Sequence, residues 1–564
     1  MRLLPPVCAL ALLSACSQHP TENPSPLASE VSTAANSQVN SPVQFDEDRF
    51  RKDIKTLSSD EFEGRAPTTK GETLTLNYLT KAFKEMGLVG ANKGDYLQAV
   101  PMVTYIASEQ QTITLADLPL EHRKDLVLGS RHDNGGVDIS KAPLVFVGYG
   151  VNAPEYDWND YQDLDMKGKI AVILVNDPGF ALPNSGKFDG KAMTYYGRWD
   201  YKFSEASKQG ALGAIIIHET AAASYPWSVV ENSWTGPQQD LVVDKVEQDK
   251  HVQVEGWITM DAATSVFEKS GLNLVNLIDR AASSPINIPL NQTASIKFES
   301  TASYANSYNV VATLAGKSRP DEQVLFTAHW DHIGIDESKD GDQIYNGALD
   351  NASGTAGILE IARQFAKQAK DGQPLDRSVT FIATTGEEQG LLGSRYYAAN
   401  PIYPIDKSVA VFNLDSTNIY GRTLDYTIVG KGKSQLEDYL IDALKSQNRV
   451  AKAESRPESG GFFRSDHFSF AKLGVPAVFA GGGSEPIDEA TAQYKTMMKA
   501  EMKGCYHNTC DEYREDWDLS GALQDLAIYY SAAETLANSQ DWPGYFEGTE
   551  FHSLRAASEA NLTE

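Results

Sequence analysis

Unbroken apolar runs, rather than alternating ones, mark the second half of this chain. Residues 324–328, 379–384, 409–414 and 476–480 are each the length of a strand and apolar along most of it, the pattern of strands covered on both faces. Residues 426–429 are also strand-like. Between these runs the apolar positions change to helical spacing, with Ile358, Leu359, Ile361, Ala362 and Phe365 forming one stripe. Residues 436–444 repeat the pattern, and 519–536 form a long closing helix. Strands alternating with helices predict an α/β domain. Upstream, residues 45–88 read as helix, loop, helix, with Thr69-Lys70-Gly71-Glu72 capping the second helix. The middle differs: 142–151 and 168–175 read as two buried strands, followed by a helix over 203–210 and a strand over 214–218. No internal repeat is evident.

Polar residues of one chemical kind follow several of these runs. His329-Trp330-Asp331-His332 comes directly after the first, Glu387-Glu388 after the second, and Asp415 ends the third. Asp350 precedes the Ile358 helix, and His507 lies in Cys505-Tyr506-His507-Asn508-Thr509-Cys510. Open α/β sheets bind ligands beyond the carboxyl ends of their strands. Taken singly, each acid reads as a helix cap or a solvated loop charge. As an ordered set, two histidines and three carboxylates suit two zinc ions, one carboxylate bridging and one further acid free as a base. Adjacent Glu387 and Glu388 point in different directions, which fits one coordinating and one free. His218 ends a strand in a module without clustered acids and is expected to be structural.

His-x-Asp, Leu-Asp-Asn-x-Ser-Gly, Gly-Glu-Glu-x-Gly-Leu-x-Gly-Ser, Asn-Leu-Asp and Tyr-His-x-x-x-Asp occur here in that order. The set resembles the di-zinc aminopeptidases of metallopeptidase family twenty-eight, over roughly 323–538 with an upstream piece near 45–100. The resemblance implies His329, Asp350 and Asp415 as metal ligands, with Asp350 bridging, and Glu388 and His507 completing the second of two Zn2+ ions. It implies Glu387 as general base, Asp331 as the acid orienting a ligand, and Tyr506 as a phenol bonding the tetrahedral intermediate. Ser465-Asp466-His467-Phe468 resembles a family segment near the substrate pocket. The implied fold is a mixed-sheet zinc-exopeptidase domain, phosphorylase/hydrolase-like with helices on both faces. A β-rich protease-associated insert is expected to split it. The expected organisation is a catalytic first part over 45–134, the insert over 135–285, a catalytic second part carrying the di-zinc site over 286–545, and a tail over 546–564.

Composition refines this picture. A chain of 564 residues with 41% hydrophobic content supports more than one core, and a net charge of −27 excludes nucleic acid as a partner. Residues 1–15 have the basic start and short apolar core of a processed signal, and Leu13-Ser14-Ala15-Cys16 resembles a bacterial lipobox. Cys16 is then the expected lipidation site, and Ser17 after it points to the outer membrane. Residues 16–44, rich in Ser, Pro, Asn and Thr, read as a flexible tether. With Cys8 in the signal and Cys16 acylated, Cys505 and Cys510 are left as an expected disulfide in an exported protein, with a Cys-His zinc site as the competing reading.

The expected activity is removal of amino-terminal residues from peptides with a free amino terminus. Other activities on related folds stay open: a carboxypeptidase or dipeptidase, a glutaminyl cyclase, or a receptor-like protein without metals. A serine hydrolase on Ser465 and His467 lacks the Gly-x-Ser-x-Gly elbow.

Overall fold

Phe326 stacks between Phe381 and Phe412, its ring centroid 5.3 Å from each, and these three residues come from three neighbouring parallel strands. They are Arg319–His329 in the middle, with Arg377–Thr384 and Ser408–Asn413 on either side. Apolar side chains on both faces of each strand require cover on both faces. In the computed structural model, which describes residues 43–243, 251–337 and 339–555, helices supply it. Lys70–Met86, Gly354–Lys370 and Ser520–Asn538 bring Phe83, Phe365 and Tyr529 against the phenylalanine face. On the other face Leu325, Ile382 and Val411 pack with Tyr397 and Phe470, from Leu392–Ala399 and His467–Ala471. This is a mixed α/β fold with helices on both sides of the sheet.

Ala477–Gly481 extends the parallel set beside Ser408–Asn413, and Asp425–Ile428 joins it antiparallel. On the opposite flank Arg377–Thr384 pairs antiparallel with Ile288–Leu314, a strand of 27 residues. The later part of that strand also pairs with Leu97–Ala107, whose far edge takes Pro237–Leu241. Its earlier part belongs to a second sheet, between Thr112–Leu115 and Gly136–Phe146. Beyond Gly136–Phe146 that sheet continues through the parallel strands Ile170–Leu174, Gly213–Ile217 and Val254–Ile258 to antiparallel Leu126–Gly129. The helices Met260–Lys269 and Leu274–Ser283 pack on it through Phe267, Leu274 and Leu277.

Two local expectations need correction. The run 142–151 is not one strand. Gly136–Phe146 ends before Val147, because Gly148 (φ 49°) and Gly150 (φ 63°) turn the chain through the left-handed region, and Gly148 lies against Asp160. The cap of Lys70–Met86 is not made by Thr69, whose hydroxyl donates to the Ala66 carbonyl. Instead Glu72 accepts from the Thr68 amide at 2.5 Å, so the third helical residue caps the turn before it. Cys16, the signal and most of the tether lie outside the described residues.

Candidate metal centre

Because the central strands are parallel, their carboxyl ends share one edge, and register fixes what meets there. His329 pairs with Thr384, and Thr327 with Asn413, so Glu387, Glu388 and Asp415 all emerge beside His329. Asp350 arrives on the turn leading into Gly354–Lys370. Asn351 fixes that turn: its Oδ1 accepts from the Gly354 and Ser416 amides at 2.9 Å, and its Nδ2 donates to the Leu414 carbonyl. His507 comes from the loop closed by the Cys505–Cys510 disulfide, which leaves neither thiolate for a metal.

Asp350 lies at the centre. Its Oδ1 is 3.3 Å from His329 Nε2, and its Oδ2 is 3.3 Å from His507 Nε2. His329 Nε2 also lies 3.3 Å from Asp415 Oδ1, and His507 Nε2 is 2.9 Å from Glu388 Oε2. Two groups of donors therefore share Asp350, one with His329 and Asp415, the other with Glu388 and histidine. His329 Nδ1 donates to the Asp331 carbonyl at 3.1 Å, which turns Nε2 toward Asp350 and Asp415. The Asp331 carboxylate makes its own bonds elsewhere, accepting from the Glu387 amide at 3.1 Å and the Glu388 amide at 3.4 Å. It thus orients the two glutamates through their backbone, while its carbonyl orients the histidine.

Glu387 projects toward the first group, Oε2 3.9 Å from His329 Nε2, with its side chain 10% exposed. Tyr506 is 68% exposed, and its ring stacks on His507 at 3.9 Å. Ser465 accepts from Asn413 Nδ2 at 2.7 Å, and no hydrogen bond joins it to His467 among the described residues. Burial pushes the His467 pKa down to about 3, so that ring is neutral. His218 bonds the Tyr225 carbonyl in the second sheet, away from the centre.

The sequence reading assigned no role to several residues that hold the site together. His332 is buried, with Nδ1 2.5 Å from Glu388 Oε1, so Glu388 meets one histidine on each oxygen. Asp511 accepts from the Leu349 and Asp350 amides at 2.9 and 3.0 Å, fixing the backbone at the central acid. Asp466 accepts from the Thr384 hydroxyl. Arg65, fully buried, donates to the carbonyls of Trp330, Leu57, Asn346 and Gly347 at 2.6–2.9 Å. One side chain thereby ties the His329 and Asp350 loops together.

The electrostatics follow from this crowding. Burial lifts Asp331 to about 7. Burial also lifts Glu387, well above the carboxylate range, because Asp415 and Glu388 add to it and His329 only partly offsets it. Burial would raise Asp350 and Glu388 too, but the histidines win. His329 and His507 hold Asp350 well below its ordinary value, and His507 with His332 bring Glu388 to about 2. Burial would lower both His329 and His507, yet the surrounding carboxylates hold both well above the ordinary imidazole value. So many buried carboxylates, facing imidazoles and one guanidinium, form a donor set that dications fit.

Residues 309–531 match the model for Peptidase family M28. This segment is a family M28 peptidase domain. The M28 domain holds every ligand candidate, while Arg65 reaches it from upstream. Aminopeptidase Y of Saccharomyces cerevisiae is 26% identical over 242 residues, 41% of this chain and 40% of that protein. Aminopeptidase YwaD of Bacillus subtilis is 27% identical over 202 residues, 34% of this chain and 39% of that protein. The chain thus spans about two fifths of the length of these curated relatives. The solved aminopeptidase from Aneurinibacillus sp. strain AM-1 shares the fold around the M28 domain. Its TM-score is 0.50 at 21% identity, covering 87% of this chain and 94% of that one.

Proposed function

We propose that this protein is a zinc-dependent aminopeptidase that holds two zinc ions and removes the amino-terminal residue of peptides. The observation that carries the reading is Asp350, one oxygen toward each of two histidines, with Glu387 left over beside them. His329, Asp350 and Asp415 would hold one ion, and Asp350, Glu388 and His507 the other. His332 also has a ring nitrogen within 4.8 Å of oxygens of both Asp350 and Glu388. His507 is preferred there because its Nε2 lies 3.3 Å from Asp350 and 2.9 Å from Glu388, while His332 Nδ1 is taken up in a bond to Glu388 Oε1. Bound zinc supplies Lewis acidity, polarising the peptide carbonyl and making water acidic near neutral pH.

This chain's own residues do the rest. Glu387 takes a proton from the attacking water and delivers it to the departing amine, and the buried setting that raises its pKa suits a group that must hold that proton between steps. Asp331 holds Glu387 in place through the backbone amide. A free α-ammonium would be held among the acids, a charge-assisted contact typically contributing about 1.5–3 kcal/mol. In an assay of full-length protein, free peptides should therefore be cut at least about tenfold faster than amino-acetylated ones. Chelation should abolish the activity, and added zinc should restore it. Equal cleavage of free and acetylated peptides would refute the aminopeptidase reading, and indifference to chelators would refute the metal.

A further inference from the structure

Past Asp415, the carboxyl edge of the sheet opens into a cavity of about 270 Å3. Leu414, Val429, Phe479 and Leu526 give it apolar walls, and the backbone of Gly481–Gly483 forms one side. Its charged lining is two lysines, Lys495 and Lys499, both from the helix Glu489–Glu501, and two acids, Asp415 at the metal-site end and Asp525. Being four residues apart, the lysines lie on one face of that helix.

These lysines are unusual in a chain with 76 acidic and 49 basic residues. Lys495 is 7% exposed, and its ammonium donates to the Gly483 carbonyl rather than to an acid. Lys499 is exposed and lies 5.9 Å from the centre of the Tyr420 ring. Among the described residues neither is ion-paired, and the acids nearby are already engaged. Asp525 pairs with Arg449 at 2.8 Å and accepts from the Gly482 amide. Asp425 takes the Ser484 and Glu485 amides and faces Lys452 at 3.6 Å. Burial, then the charge of Lys499, lower the pKa of Lys495, and Asp425 and Asp525 offset this only in part. Burying an ammonium without a carboxylate is costly, and a bound anion would remove that cost.

We propose that this cavity is a substrate subsite for a carboxylate, held by Lys495 and Lys499 while the scissile bond lies at the Asp415 end. The inference rests on the aminopeptidase reading and adds a substrate class to it: peptides with an anionic group close to the bond that is cut. That carboxylate has two sources, an acidic side chain on the first residue or the carboxyl terminus of a very short peptide.

The test uses full-length, zinc-loaded protein. Glutamyl and glutaminyl 4-nitroanilides differ only in charge at the side chain, and Leu-Gly and Leu-Gly-amide only in charge at the terminus. One of the two pairs should favour the anion by at least about tenfold in kcat/KM, and that pair identifies the source. In Lys499→Gln, whose exposed site tolerates the change, and in Lys495→Met, the preference should fall severalfold. Calorimetry with L-glutamate and L-glutamine, or with glycylglycine and its amide, gives a readout independent of turnover and should show the same order. Neutral substrates cleaved as fast as anionic ones, with no difference in calorimetry, would overturn the subsite and leave the aminopeptidase reading standing. If nothing is cleaved, that reading falls and the calorimetric comparison alone decides the subsite.

Discussion

Replacing Arg65 with methionine should weaken both the fold and the hold on zinc. The arginine donates four charge-assisted bonds to backbone carbonyls, and at the low end of about 1.5 kcal/mol each their gross loss is ~6 kcal/mol. Against this, the cation is poorly accommodated. Burial brings its pKa down from the ordinary guanidinium value to about 10, equivalent to ~3 kcal/mol that methionine would recover. The Gly347 carbonyl also keeps the Ala352 amide as a partner. The net expectation is a loss of roughly 3 kcal/mol in unfolding free energy, measured by urea denaturation of the zinc-free protein. The bonds to Trp330, Asn346 and Gly347 bind two ligand loops together, so zinc affinity, read by competition with a chromogenic chelator, should fall about 10–100-fold. Arg65→Lys keeps the charge but cannot span four carbonyls, and should resemble the methionine variant. Zinc affinity and stability both unchanged in Arg65→Met would refute the clamp.

Two further outcomes are expected. Glu387→Gln should lower kcat by about 10²–10⁴-fold with zinc still bound at wild-type stoichiometry, so a variant that loses zinc in parallel would make Glu387 a ligand rather than a base. Arg131 pairs with Asp240 at 2.5 Å and with Glu255 at 2.6 Å, and with help from Arg395 this outweighs burial and lowers Asp240 from 3.8 to about 2. A depressed carboxylate stabilises the fold above its unfolded pKa and loses that effect as pH falls through the folded one. The stability advantage of wild type over Asp240→Asn should therefore shrink by roughly 2 kcal/mol between pH 4 and pH 2, and a pH-independent difference would count against the pair.

Part of the candidate site was legible because four of its residues follow apolar runs whose length and composition announce buried strands, whereas Asp350 comes on a turn before a helix and His507 in a loop. His329, Glu387, Glu388 and Asp415 inherit their positions from strand ends, and parallel pairing brings the ends together. The supporting residues carry no such local signal. Arg65 lies 265 positions from Trp330 and 281 from Asn346, and Asp511 lies 161 from Asp350, so nothing nearby in sequence marks their partners. His332 was in view beside His329 yet gives no sign that its ring would meet Glu388. The strand Ile288–Leu314 was missed for a different reason. Its middle, from Thr301 through Asn306, is almost wholly exposed, and without a continuous apolar face it gives little periodic signal.

That strand limits how the molecule can move. Its first half is hydrogen-bonded into the second sheet and its second half into the sheet that carries the candidate metal centre, with no loop between them. A hinge needs a few residues free to change φ and ψ, and here the ladder runs on across the junction. Closure of one body over the other would have to break sheet bonds, so access to the centre is left to individual loops such as the one carrying His507. The same shared ladder couples the two bodies in unfolding, and heating should yield one cooperative transition rather than two.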